Sequence, residues 1–128
     1  MQEQLHNNIM VIDDTSFIHN QFTPEFISKS KLTFEKDGKK ALEKINSSHP
    51  EVFVIQLMLS QMDSLEICQR IRKLYPQEQP TLIILSNTGY RKSIHDAVIK
   101  NGADHVLFYP IDHRNLEDLV SQSHLSLH

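Results

Sequence analysis

The chain has 128 residues, 39% of them hydrophobic and 23% charged, and a formal net charge of −3. That length suits one domain with a core that needs no staple, and the acidic balance argues against the basic face that nucleic-acid binding requires. No apolar stretch approaches the roughly 20 residues of a membrane helix. The N-terminus carries no signal-like pattern, and a single cysteine excludes an internal disulfide, so the cytoplasm is the expected compartment.

Ile9 to Ile12 is an apolar run that reads as a first strand, ending at Asp13-Asp14. Ser16 to Ser30 reads as helical, with Phe17, Ile18, Phe22, Phe26 and Ile27 on its apolar face. Thr23-Pro24 interrupts it as a fresh helix start, with Thr23 as N-cap and Pro24 in the first helical position. Leu32 to Glu35 alternates as a second strand, Asp37-Gly38 is a turn, and Ala41, Leu42 and Ile45 mark the second helix. Val52 to Ile55 is the third strand and leads into Gln56. Leu65, Cys68, Ile71, Leu74 and Tyr75 line one face of a third helix, with Cys68 as a small core residue. Thr81 to Leu85 is the fourth strand. Ile94, Ala97 and Val98 belong to a fourth helix that stops at Asn101-Gly102. Val106 to Tyr109 is the fifth strand, and Asp112 caps a last helix carrying Leu116, Leu119 and Val120. The expected boundaries are an N-terminal extension over 1–8, a domain over 9–123 and a polar tail over 124–128.

Five strand-then-helix units, several of whose strands are continuously apolar, predict a parallel sheet covered on both faces, a three-layer α/β sandwich. In such folds function gathers at the carboxyl ends of the strands. Those ends bring four features into consideration: Asp13-Asp14, Gln56, Ser86 and Tyr109-Pro110.

The order and spacing of Val11-Ile12-Asp13-Asp14, Met62-Asp63, Leu65 to Arg72, Ile84-Leu85-Ser86-Asn87 and Asn101-Gly102-Ala103-Asp104 resemble the receiver domains of two-component response regulators. The resemblance covers about Ile9 to Leu119. It implies a flavodoxin-like, doubly wound (βα)5 sheet of strand order 2-1-3-4-5 and a place in two-component or phosphorelay signalling. It also implies roles for individual residues. Asp13 and Asp14 match the acidic pair that helps to hold Mg²⁺, and Ser86 matches the small hydroxyl residue that contacts the phosphoryl group. Gln56 stands where the family has its phosphoacceptor aspartate, and Tyr109 where it has a lysine. Ser60 replaces a usual proline and Ser64 a usual glycine. Val106 replaces an aromatic residue that swings inward on activation. The family's partner-contacting face, formed by the fourth helix, fifth strand and fifth helix, would here carry Tyr90, Arg91, Ile94, His95, Val106 and Tyr109.

A carboxylate can attack phosphorus as an oxygen nucleophile, whereas a glutamine amide is a very poor substitute. The leading expectation is therefore a pseudo-receiver: not an enzyme, not phosphorylatable, and acting by protein–protein contact, with a homodimer allowed. No cofactor is expected beyond weak Mg²⁺ at Asp13 and Asp14. The Gln56 amide can instead donate hydrogen bonds to either carboxylate. Two other readings compete. One is a conventional receiver with an atypical acceptor; Asp63, seven residues past Gln56, lacks the strand-end position. The other is a small metal- or ligand-binding α/β module, which has no glycine-rich phosphate loop to support it. Bland roles stand beside the sharp ones: Asp13-Asp14 as helix caps, Ser86 as a turn residue, Tyr109 as a volume filler. His124 and His128, at i and i+4, lack a third ligand. Lys36, Lys39, Lys40 and Lys44 form a basic cluster that reads as a solvated face or, more sharply, as a site for an acidic partner.

Overall fold

Strands that are apolar at every position can be buried only between two layers, and the computed structural model arranges them so. It describes residues 8–126 apart from 61, 76 and 78, with side chains described through 122. The elements are β1 (Asn8–Ile12), α1 (Pro24–Lys29), β2 (Lys31–Glu35), α2 (Gly38–Ser48), β3 (Val52–Gln56), α3 (Ser64–Leu74), β4 (Thr81–Leu85), α4 (Lys92–Lys100), β5 (His105–Leu107) and α5 (His113–Ser126). All strand pairs are parallel, in the order β2-β1-β3-β4-β5. This is the flavodoxin-like arrangement.

Alternation along each strand divides the core in two. Met10, Ile12, Phe53, Ile55, Leu82 and Ile84 pack with Ala41, Ile45, Ile67, Cys68, Ile71 and Val98 from α2, α3 and α4. Ile9, Val11, Val52, Val54, Ile83 and Leu85 face the other way, onto Ile18, Phe22, Leu116 and Val120. Each large aliphatic side chain buried in this way contributes roughly 1.5–3 kcal/mol before chain entropy is counted. Cys68 is fully buried among them, and burial pushes its thiol up to about 12.

The segment between β1 and β2 is split as the Thr23-Pro24 signal predicts. The Thr23 hydroxyl accepts from the Phe26 N–H at 3.1 Å and Pro24 opens α1. Upstream there is only a short 3-10 turn, His19–Gln21, in place of regular helix. Asp37 and Gly38 do not make a separate turn; Asp37 caps α2 through the Lys39 N–H and Gly38 is its first residue. A Cβ at Gly38 would lie 2.6 Å from the Cδ1 of buried Ile67, so glycine lets α2 and α3 approach.

Two further expectations are corrected. β5 ends at Leu107, so Phe108 and Tyr109 lie beyond it; the Tyr109 N–H donates to the Thr88 carbonyl at 2.9 Å, outside the ladder. Leu74, expected in the core, is 47% exposed because it ends α3 on the side turned toward solvent. At the other strand ends the chain is braced by Arg72. Its guanidinium donates to Gly102 O, Pro80 O, Gln79 Oε1 and Asp104 Oδ2, tying α3 to the loops flanking β4 and β5. Gly102 adopts a φ of +112°, the left-handed turn that closes α4.

Candidate functional site

β1 and β3 are neighbours in register, with Ile12 opposite Ile55, so their next residues meet at the carboxyl edge of the sheet. This brings Asp13, Asp14 and Gln56 together. Asp13 is 6% and Gln56 2% exposed. A buried carboxylate is tolerable only when its lone pairs are filled. Those of Asp13 are filled by its own loop. Oδ1 accepts from the Thr15 N–H at 2.9 Å and the Thr15 hydroxyl at 2.8 Å, and Oδ2 accepts from the Ile18 N–H at 2.7 Å. Asp13 thus orders the β1–α1 connection.

Gln56 completes the cluster. With its oxygen turned inward, the side-chain amide would set that oxygen against acceptors alone. With its nitrogen inward, Nε2 donates to Asp13 Oδ1 at 2.8 Å, to the Met58 carbonyl at 3.0 Å and toward Asp14 Oδ1 at 3.3 Å. The surrounding acceptors dictate the second orientation. Two hydrogens serve three acceptors, so one is shared. Asp14 is less buried, and its Oδ2 accepts from the Ser60 N–H at 2.7 Å. The Ser60 hydroxyl, with that N–H, holds the Asp14 carboxyl below the usual aspartate range.

Ser64 adds a third tie. It is buried at the start of α3, and its hydroxyl donates to the Leu57 carbonyl at 2.7 Å. Asp63 caps α3 through the Leu65 N–H at 3.0 Å, a structural employment for the residue considered as a displaced acceptor. The β3–α3 loop is therefore held from both ends by side chains at 56 and 64 and by the backbone of 60.

Ser86 and Tyr109 stand apart. Ser86, buried one residue past β4, bonds within its own loop, to the Thr88 hydroxyl at 2.9 Å and the Thr88 N–H at 3.1 Å. No hydrogen bond among the described residues joins Ser86 or Tyr109 to the carboxylates. Tyr109 is 55% exposed. Nearby, Tyr90 is 64% exposed, meets Phe108 edge to face at 5.2 Å and leans toward His95 at 6.4 Å. Arg91 is exposed, and Ile94, His95 and Val106 are half-buried. His128 and the His124 side chain lie outside the described residues.

The donor set does not fit a magnesium ion. Mg²⁺ takes oxygen ligands in octahedral geometry and keeps several waters. Here N–H and O–H donors already engage the Asp13 oxygens, and Gln56 points an amide nitrogen, which has no lone pair to give, at both carboxylates. No group of three or more His, Cys, Asp or Glu among the described residues is placed to hold a metal.

Thr15, Met58 and the N–H groups of Ile18 and Ser60 have roles that the family motifs do not mark. The Asp13-x-Thr15 spacing is an Asx-type signal that could have disclosed the first. Ser60 was legible too: a proline there has no N–H, so serine adds a donor.

A doubly wound parallel sheet with an acidic pair at the carboxyl end of its first strand defines the class. Within it, the chain belongs to the response regulator receiver domain family, whose family model matches residues 9–121. It is a receiver domain of two-component signalling. Among curated relatives, response regulator ArlR of Staphylococcus epidermidis is 29% identical over 119 residues, covering 90% of this chain and 50% of that protein. Response regulator MprA of Mycobacterium ulcerans is 28% identical over 116 residues, covering 89% and 47%. The chain therefore spans about half the length of these relatives. The receiver domain of Francisella response regulator 1452 superposes with a TM-score of 0.82 at 25% identity, over 95% of this chain and 99% of that one. A two-component response regulator from Clostridium difficile shares the fold with a TM-score of 0.81 at 16% identity, over 98% and 99%. No helix among the described residues is long and apolar enough to cross a membrane.

Proposed function

We propose that this domain is a receiver that accepts no phosphoryl group, keeps its pocket in one closed arrangement and passes information by contact with protein partners. The observation that carries the reading is the Gln56 amide nitrogen, 2.8 Å from Asp13 and 3.0 Å from the Met58 carbonyl. It replaces a nucleophile by a donor and fills the space between the carboxylates with N–H groups rather than a cation.

Three departures from the family pattern act in one direction. Gln56, Ser60 and Ser64 each supply a hydrogen bond that aspartate, proline and glycine could not make at those positions. Together they fasten the loop that in an ordinary receiver must accommodate phosphate. Tyr109 fits the same scheme, because a cation that pairs with a phosphoryl group has no task once none arrives. Receivers are two-state elements biased by new charge-assisted bonds to phosphate. With that input gone, any remaining bias comes from a partner with different affinity for the two states. Tyr90, Arg91, Ile94, His95, Val106 and Tyr109 form the face for such contacts, whether to another protein or to a second copy.

Incubation with acetyl phosphate and Mg²⁺, read by intact mass, is expected to leave the protein unmodified. A stable adduct of one phosphoryl group would favour the atypical-acceptor reading and overturn this one. A milder consequence concerns acid. Because the folded Asp14 carboxyl sits below its unfolded value, the unfolded chain binds more protons in that interval. The increment of stability is present above the ordinary aspartate range and is lost as pH falls through the depressed value. Melting curves across the acid range are expected to show a shallower slope in Asp14→Asn than in the parent. Equal slopes would remove the Ser60–Asp14 bond from the account.

A further inference from the structure

We propose that Met58 is a reversible oxidation site, through which peroxide marks the β3–α3 loop covalently. Met58 lies two residues past the end of β3 and is 67% exposed, more than any other large apolar side chain among the described residues. It stands on the rim of a hollow of about 310 Å³ between this loop and α4, where Leu57, Leu65, Ile94 and Ala97 supply most of the wall.

The other sulfur atoms are placed differently. The chain has four methionines and one cysteine. Cys68 is fully buried and its thiol is pushed up to about 12, so the thiolate that reacts with peroxide is withheld. Met10 is 0% exposed, and Met62 is half-buried against the core. Met1 lies outside the described residues. Thioether oxidation needs no ionisation; the oxidant has only to reach the sulfur. Among the described residues, Met58 is therefore the sulfur that a dissolved oxidant meets first.

The reaction closes without a cofactor. The Met58 sulfur attacks one oxygen of hydrogen peroxide, an S–O bond forms and the O–O bond breaks. The departing hydroxide takes the proton of the transferred hydroxyl and leaves as water. Sulfur loses two electrons and peroxide gains them. The product is a polar, chiral sulfoxide in place of a flexible apolar side chain. The backbone beneath it is fastened. The Leu57 N–H donates to the Leu85 carbonyl at 2.9 Å, and the Leu57 carbonyl accepts from Ser64 at 2.7 Å. The Met58 carbonyl accepts from Gln56, and the Ser60 N–H donates to Asp14. Oxidation thus changes the rim of the hollow from apolar to polar while the loop keeps its path. The reacting sulfur is not part of the carboxylate cluster, so the proposal does not depend on whether the domain accepts a phosphoryl group.

The test treats the whole chain with hydrogen peroxide at neutral pH and assigns each site by fragment-ion mass spectrometry, which tells Met1 from Met10. Oxygen is expected to enter Met58 about tenfold or more faster than Met10 or Met62, with Cys68 unmodified. Methionine sulfoxide reductases of both epimer specificities, with dithiothreitol, are expected to return Met58 to the thioether. In amide NMR spectra the oxidised chain is expected to shift at Leu57, Leu65, Ser93, Ile94 and Ala97, with the Gln56 side-chain amide unmoved. Met58→Gln, which carries a polar tip without oxidation, is expected to reproduce that pattern. Peroxide-treated Met58→Leu is expected to leave the hollow unshifted. The proposal is overturned if Met10, Met62 or Cys68 reacts as fast as Met58, or if the reductases leave the sulfoxide in place. It is also overturned if the hollow shifts equally in treated Met58→Leu, or if oxidation at Met58 shifts resonances throughout both halves of the core.

Discussion

Replacing Gln56 by aspartate is expected to lower the melting temperature of the domain at neutral pH, with Mg²⁺ restoring much of the loss. The substitution deletes the donor that Asp13 Oδ1 and the Met58 carbonyl share and adds a third anion at a position 2% exposed. An orphaned buried acceptor costs about 1–3 kcal/mol, and a charge left unpaired in the interior costs several more if nothing relaxes. Partial hydration at the half-buried Asp14 side brings the expected net loss to roughly 3 kcal/mol, or on the order of 10 °C in melting temperature. Gln56→Glu separates charge from shape, because it keeps the length and replaces the amide donor by a charged acceptor.

The pH dependence follows from crowding. A carboxylate introduced among two others has its folded pKa raised above the unfolded value. The fold then binds more protons than the unfolded chain, so stability falls as pH rises through that interval. The part of the deficit due to the added charge is absent in acid and complete at neutral pH, while the part due to the lost amide donor persists. Three carboxylates also recreate an oxygen set for Mg²⁺, which stabilises whichever state binds it. Millimolar Mg²⁺ should raise the melting temperature of Gln56→Asp and leave the parent unmoved. If both variants melt with the parent at neutral pH, the amide nitrogen does not hold the pocket. A comparable Mg²⁺ shift in the parent would restore the weak cation site that Asp13 and Asp14 suggest from sequence.

The sheet is readable because β1, β3 and β4 each carry a run of four apolar residues, a pattern that few architectures besides a doubly covered parallel sheet can bury. Thr23-Pro24, Asp112 and Asn101-Gly102 were readable because caps and stops act over three or four residues. Asp112 indeed accepts the Arg114 N–H at 3.0 Å. Leu74 departs from its expected burial because helical periodicity locates a face but not where the neighbouring helix stops covering it. β5 is shorter than its residues suggest because Phe108 and Tyr109 have strand propensity, while their partners lie in the β4–α4 loop. At the site, the identity of each odd residue was visible, and so was the chemistry of an amide beside carboxylates. What the alphabet could not disclose was that Gln56, Ser60 and Ser64 act on one loop. Each donor is legible from residue type, but the acceptors that they meet, Asp13, Asp14 and the Leu57 and Met58 carbonyls, are set by how the loop folds.

Asp13 and Asp14 provide the second large effect, through their inequality. A carboxylate pair kept for a cation repels itself when the cation is withdrawn, so neutralising either member in chelator would stabilise the fold. A carboxylate kept as a cap behaves in the opposite way. Asp13 accepts the buried Ile18 N–H, both Thr15 groups and Gln56, and Asp13→Ala leaves that N–H without a partner. The expected loss is about 3 kcal/mol in urea unfolding with chelator present. Asp13→Asn loses less, about 1–2 kcal/mol, because one oxygen can still serve Ile18 while the new amide group faces Thr15. Asp14→Ala gives up the bond to Ser60, which water can replace, and is expected to fall within about 1 kcal/mol of the parent. A stability order with Asp13→Ala lowest, Asp13→Asn next and Asp14→Ala highest is not what mutual repulsion would produce. If Asp13→Asn unfolds at higher urea than the parent in chelator, the cluster is a vacated cation pocket after all, and donors have not taken the place of the ion.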